Sequence, residues 1–172
     1  MHEPLTFLFK DDGAVPNNPV LPALVYRGAV DLAGERAPAA AIERLFAENG
    51  WGRDMWRDSI FTFVHYHSMI HEALGIAQGT ARVQLGGSHG EVLAFKAGDI
   101  AVLPAGTGHQ RLAGSDDLLV VGAYPPKGTY NLCRGGNPAD REKALGTIPE
   151  VPLAQSDPVH GEHGPLVRLW RR

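Results

Sequence analysis

Between Ser59 and Pro125 the chain is cut by glycine or proline about every eight to twelve residues. The pieces are IFTFVHYH, EALGIAQG, TARVQLGG, EVLAFKAG, DIAVLPAG, HQRLAG and DLLVVGAYP, the first of them rich in aromatic and β-branched residues. Strands this short, punctuated this regularly, predict a sandwich or barrel rather than βαβ units. The 21 glycines and 13 prolines among 172 residues exceed average usage and agree with many turns.

Outside that region the pattern thins. LTFLFK and ALVYRGAV read as short strands separated by the proline-rich loop DDGAVPNNPVLP. PAAAIERLFAENG is the only good helix: Pro38 suits a first turn, Ile42, Leu45 and Phe46 share a face, and Gly50 stops it. Trp51 and Trp56 follow as expected packing aromatics. The tail from Pro126 is expected to be irregular, with Leu166, Val167, Leu169 and Trp170 as a last strand or a clasp. No linker divides the chain, so one domain spans residues 1–172, with a barrel core at about 59–125 and both ends packing on it.

Composition narrows the function classes. A net charge of -3 and the lack of a basic block give no footing for nucleic acid or an anionic membrane. No 18-residue apolar run and no secretory signal is visible, so a cytoplasmic protein is expected. The single cysteine, Cys133, leaves no internal disulfide. Neither a P-loop nor a dinucleotide fingerprint occurs.

The chemistry concentrates in FTFVHYHSMIHEALGIAQG, where three of eight histidines and a glutamate fall within eight residues. On a helix, His67 and His71 would pair at i, i+4. The helical zinc motif H-E-x-x-H, however, places its glutamate after the first histidine, whereas Glu72 follows the second. Gly75 and Gly79 would also weaken a helix by about 1 kcal/mol each. On a strand, Phe61, Phe63, His65 and His67 line one face, with Cα atoms two apart separated by roughly 6.6 Å. Residue type, alternation and the glycines favour the strand. After a turn near Ser68–Ile70, Glu72, Leu74 and Ile76 then share a face, and His71 points the other way.

These residues resemble the two short motifs of the cupin superfamily. The first is a glycine, five residues, H-x-H, three or four residues, a glutamate, six residues and a glycine. Ser59, His65, His67, Glu72 and Gly79 follow it, with serine for the leading glycine. The second is a glycine, five residues, P-x-G, two residues, a histidine, three residues and an asparagine. Gly98, Pro104, Gly106, His109 and Ala113 follow it, with alanine for the final asparagine. The rest of the chain, including AGTGHQ, VVGAYPP and DPVHGEHGPL, is similar to small single-domain bacterial cupins of the YjlB-like kind. The resemblance implies a mainly β, jelly-roll (RmlC-like) sandwich or barrel, here with one short N-terminal helix, and a homodimer. It also implies one divalent transition metal (Fe, Ni, Zn or Mn) held by His65, His67, His109 and Glu72. Such a ligand set leaves positions open for water, oxygen or a chelating substrate.

Around that centre, Phe61, Phe63, Leu74 and Ile76 are expected to wall a pocket for a small molecule. Glu72, Arg111 and Tyr124 are the candidates for catalytic work: Glu72 as ligand and proton shuttle, Arg111 for a substrate carboxylate, Tyr124 as hydrogen-bond donor. Tyr66 and Ser68 are expected to point outward, as are Arg82 and Gln84. His160 and His163 stand three apart in a loop without a third ligand, His2 and His89 are expected at the surface, and Cys133 is expected to be inert. Two function classes follow. One is a metal-dependent enzyme of dioxygenase, isomerase or decarboxylase type acting on a small oxygenated metabolite. The other is a non-catalytic module that binds or senses a small molecule or sugar at the same metal-centred pocket.

Overall fold

The computed structural model describes residues 3–171; His2 lies outside them. Two antiparallel sheets face each other. The larger runs in the order β1 (Leu5–Phe7), β2 (Ala23–Tyr26), β8 (Ile100–Leu103), β5 (Glu72–Gln78), β10 (Leu119–Tyr124) and β3 (Arg53–Asp58). The smaller runs β11 (Cys133–Arg134), β4 (His65–Tyr66), β9 (His109–Gly114), β6 (Thr80–Leu85) and β7 (Glu91–Lys96). This is a β-sandwich, as the glycine and proline punctuation predicts, and of the jelly-roll type that the cupin resemblance implies. Strands β1, β2, β3 and β11 lie outside residues 59–125 yet complete the two sheets.

Alternation explains which side chains meet between the sheets. In β6, Ala81, Val83 and Leu85 are buried while Thr80 and Arg82 are exposed, and Gln84 is partly so. The inward set meets Val25, Leu74, Ile76, Ala101, Leu103 and Val120 from the larger sheet, forming the inner core. The larger sheet is also covered on its back. There Leu24, Tyr26, Ala73, Ile100, Val102, Val121 and Ala123 pack under Ile42 and Phe46 of helix α1 (Pro38–Glu48) and under Leu166 and Trp170. Burial on both faces is why β2 and β8 read as continuous apolar runs.

Helix α1 lies close to the sheet because the back of β5 carries small residues, Ala73, Gly75 and Ala77. A Cβ at Gly75 would stand 2.6 Å from Cγ2 of Ile42. The helix ends at Gly50, whose φ of 80° continues the chain in a left-handed turn. Trp51 is fully buried beyond it, and its Nε1–H donates to the Ser156 carbonyl.

The tail departs from the irregular coil expected of it. Helix α2 (Pro138–Thr147) starts at Asn137, whose side chain accepts from the Ala139 and Asp140 amides, with Pro138 in the first turn. Only Ala144 of this helix is buried, so its apolar periodicity is too faint to read. The Leu166–Trp170 clasp forms as a helical turn, α3 (Pro165–Leu169), not a strand. Asp157, fully buried, fastens it: its carboxylate accepts from the Tyr26 hydroxyl at 2.5 Å and from the Val159, His160 and Leu166 amides. No helix among the described residues is long and apolar enough to cross a membrane.

Gly75→Ala pushes a methyl group into Ile42 and Phe46, and overpacking of this kind costs about 1–3 kcal/mol. Urea denaturation is expected to show a lowered midpoint with an unchanged slope.

Candidate metal centre

The three motif histidines come from the smaller sheet. His65 and His109 sit directly opposite each other where β4 pairs with β9, so their rings approach to 4.0 Å between centroids. His67 follows one residue beyond β4 and leaves the same side of the extended segment. Its carbonyl accepts from the Gly106 amide at 2.7 Å, tying it to the turn that precedes His109. Glu72 arrives from the larger sheet, at the start of β5 opposite Leu103. The four side chains therefore meet between the sheets, and all are buried.

The expected strand IFTFVHYH is shorter than its residue types suggest. Only His65–Tyr66 pairs as β4, and Phe61 to Val64 arch over the barrel end instead. The reason lies in β9. The Arg111 amide donates to the Phe61 carbonyl, the Gln110 side chain to the Thr62 carbonyl, and the Arg111 Nε–H to the Ile60 carbonyl.

Each imidazole has one nitrogen committed to a main-chain carbonyl. Nδ1 of His65 lies 3.0 Å from the Phe63 oxygen, Nδ1 of His67 2.5 Å from that of Asn131, and Nδ1 of His109 3.0 Å from that of Thr107. A carbonyl only accepts, so each Nδ1 carries the hydrogen and each neutral ring turns an Nε2 lone pair inward. Oε2 of Glu72 lies 3.3 Å from Nε2 of His67 and 3.2 Å from Nε2 of His109. It is buried and receives no well-formed hydrogen bond. Three histidine nitrogens within 4.8 Å of one another, beside a buried carboxylate oxygen with no donor, form a group that can hold a metal ion.

The electrostatics fit the same arrangement. Burial, with the neighbouring His109, pushes the His65 imidazole down to about 3, so this ring stays neutral. Burial opposes charge on His67 as well, but the Glu72 carboxylate outweighs it and raises that ring above its ordinary value. Burial works to raise Glu72, yet the His67 and His109 rings beside it hold its carboxyl below the usual range. Tyr124, at the end of β10, donates its hydroxyl hydrogen to Oε1 of Glu72 at 3.1 Å and accepts from Nε1–H of Trp56 at 3.0 Å. Burial and then the Glu72 charge push its phenol well up, so it remains a donor.

A cavity of about 470 Å³ opens above these groups. Phe61 and Leu74 line it, as do Tyr124 and all four buried polar groups; Phe63, Ile76 and Arg111 do not. Phe63 stacks behind Phe61 at 4.8 Å, with the Arg134 guanidinium 4.0 Å from its centroid. Ile76 lies deeper, in the inner core. Arg111 spends its Nε–H on Ile60 and so holds the arch rather than reaching a ligand.

Other residues depart from their expected places. Trp56, expected as packing, faces the cavity, and Tyr130 joins it from the loop after β10. Asn131 also escaped the sequence reading: besides its bond to His67, its side chain accepts from the Ser68 and Met69 amides. Tyr66 points away from the site but is fully buried under Ala144 and Ile148. His71 lies on the opposite side of β5 from Glu72, where its Nδ1 accepts from the Ala105 amide and its Nε2–H donates to the Pro152 carbonyl. His160 packs edge-on against Tyr26, and His163 and His89 are exposed. Burial pushes the Cys133 thiol up, which suits an inert residue.

A double-stranded β-helix whose H-x-H pair, following glutamate and distant third histidine converge between its sheets is a cupin. Within that class the chain belongs to the YjlB family. It is 39% identical over 168 residues to protein YjlB of Bacillus subtilis (strain 168), covering 98% of this chain and 97% of that one. No family model matches the chain. Among solved structures it is similar to an acireductone dioxygenase from Bacillus anthracis with a cadmium ion in its active centre (14% identity, TM-score 0.41, 59% of this chain and 77% of that one). It is also similar to a Klebsiella pneumoniae protein with a double-stranded β-helix domain (16% identity, TM-score 0.37, 78% and 81%). At such identities a shared architecture says nothing of chemistry.

Two expectations follow. His65→Ala is expected to lower metal content, measured by elemental analysis. His71→Ala is expected to leave it unchanged while costing about 1–3 kcal/mol of stability, because the buried Ala105 amide loses its acceptor. The second concerns pH. In the metal-free protein the raised His67 contributes stability that is complete below pH 6.5 and lost as pH rises through its folded value. The depressed Glu72 contributes above pH 4.5 and is lost as pH falls. Metal requires the unprotonated Nε2 of His67. The gain in Tm on adding metal should therefore grow as pH is raised from about 5 to about 8, measured by thermal denaturation with and without the ion.

Proposed function

We propose that this protein is a divalent-metal cupin that acts on a small oxygenated metabolite in the barrel cavity, by dioxygenase, isomerase or decarboxylase chemistry. One observation carries the reading: three imidazoles commit Nδ1–H to carbonyls and bring ligating nitrogens within 4.8 Å of one another, two of them 3.2 and 3.3 Å from a buried carboxylate oxygen without a donor. His65, His67, His109 and Glu72 would hold the ion, one of Fe, Ni, Zn or Mn. When bound, it supplies Lewis-acid or oxygen-activating chemistry.

The chain's own residues supply the rest. Tyr124 holds a proton at Oε1 of Glu72, and the Trp56 indole N–H fixes the phenol oxygen in turn. Ile60, Phe61 and Leu74 give the cavity apolar walls that limit water near the reacting groups. The same reading takes the protein to be cytoplasmic, and homodimeric since β1 and β7 each stand last in a sheet, where a second copy can pair. A binding module without turnover is the second reading. It is favoured by the pairing of Tyr124 with Glu72 and of Arg57 with Glu43, since no other arginine or lysine among the described residues lines the cavity.

The test is elemental analysis of protein purified without added metal or a histidine tag, joined to oxygen-uptake and turnover assays on a panel of diketones, enediols and sugar acids. One equivalent of metal with turnover is expected, and Tyr124→Phe should lower activity about 10–100-fold. Metal without turnover on any compound gives the binding module. Protein that takes up no metal when offered all four ions overturns both readings.

A further inference from the structure

We propose that the cavity takes a flat, ring-bearing chelator, a catechol-like molecule with two neighbouring oxygens and no second acidic group, stacked on Trp56. The inference rests on the metal-centred reading above and names the class of molecule that centre would hold.

The indole is seated with unusual care for a residue on an edge strand. In the register of β3 and β10, Trp56 faces Gly122. A Cβ at Gly122 would lie 1.9 Å from Cε2, 2.2 Å from Cζ2 and 2.2 Å from Nε1 of the indole. Three ring atoms nearly equidistant from one point mean that a face of the indole lies flat on bare backbone. Gly122 does not have a positive φ, so it is space and not conformation that calls for glycine here. The bond from Nε1–H to Tyr124 then fixes the ring's rotation. A half-buried indole held at face and edge, and lining a cavity, is preorganised to stack a planar ligand.

The other walls repeat the preference. Tyr130 lies 5.1 Å from the His67 ring and edge-on to Tyr124 at 5.7 Å, and Phe61 lies 5.0 Å from His65. Charge narrows the choice further. Among the described residues Arg57 is the only arginine or lysine in the cavity wall, and its Nε and Nη2 are 2.6 and 2.8 Å from the two Glu43 carboxylate oxygens. Asp54 and Asp58 also line the wall. An acidic group held beyond the ion's own open positions would meet aromatic faces and the carboxylates of Asp54 and Asp58, with Arg57 already paired to Glu43. At about 30 Å³ for each water-sized group, the cavity accommodates on the order of fifteen non-hydrogen atoms, enough for a substituted single ring.

The experiment is isothermal titration, under nitrogen, of the metal-loaded protein with catechol, malonate and inorganic phosphate, with metal content read on the same samples. Catechol is expected to bind at least about tenfold more tightly than malonate or phosphate. Trp56→Ala is expected to weaken catechol about tenfold per bound metal, and Trp56→Phe, which restores a flat face, to recover most of the loss. Malonate or phosphate binding as tightly as catechol overturns the proposal, as does catechol binding undiminished in Trp56→Ala. The preference of the unaltered protein decides the matter even where Trp56→Ala does not fold. Protein that holds no metal overturns the metal reading and this inference together; metal-loaded protein that prefers the diacid overturns the ligand class alone.

Discussion

Three main-chain carbonyls set how the histidines at the centre of this barrel are oriented. Phe63, Asn131 and Thr107 each take the hydrogen of one imidazole nitrogen, and the three rings bring ligating nitrogens within 4.8 Å of one another. Those carbonyls are not free to move. The Phe63 oxygen belongs to the arch tied down by Arg111 and Gln110. The Thr107 oxygen belongs to a turn stitched to His67 through Gly106. The Asn131 oxygen belongs to a loop whose side chain also grips the Ser68 and Met69 amides. Loop geometry on one side of the barrel is thus converted into ring orientation within it, and the strands need supply only position.

The arrangement places the acid and the bases on different sheets. Histidines alone could have come from one sheet; the carboxylate comes from the other, with Tyr124 next to it on β10. Oε1 is satisfied by the phenol on its own sheet and Oε2 is left facing the imidazoles across the gap. Desolvation of a carboxylate in this position is expensive unless positive charge stands opposite, whether a proton on His67 or a cation among the three rings.

Much of the scaffold is legible in the sequence because its signals are local. Gly50 ends α1 where the helix pattern stops, and the alternation of β6 separates core from solvent without reference to any neighbour. The four converging side chains stand in two short motifs whose spacing is enough to find them, and their role as ligands is the proposal made above. What escapes depends on contacts far along the chain. Strand β3, RDMWRD, carries no apolar alternation in the sequence to mark it as a strand; charged side chains are what an edge strand carries. Trp56 turns inward only because Gly122 lies across from it, and no pattern within either segment announces the other. Arg111 has the parity of His109, but a carbonyl from the arch claims its guanidinium first. For α2 the Asn137–Pro138 start was present, and one buried alanine was too little stripe to support it.

Burial of the larger sheet on both faces has a consequence for variation. A substitution at most positions of β2, β5, β8 or β10 disturbs either the inner core or the packing of α1 and the Trp170 clasp, whichever way the side chain points. Freedom to change without unfolding is left mainly to exposed positions such as Phe61, Asp58 and Tyr130 at the cavity opening. Descendants of this scaffold can therefore diverge in what they admit while the chassis beneath stays nearly the same, and a designer seeking a new guest would begin at that threshold.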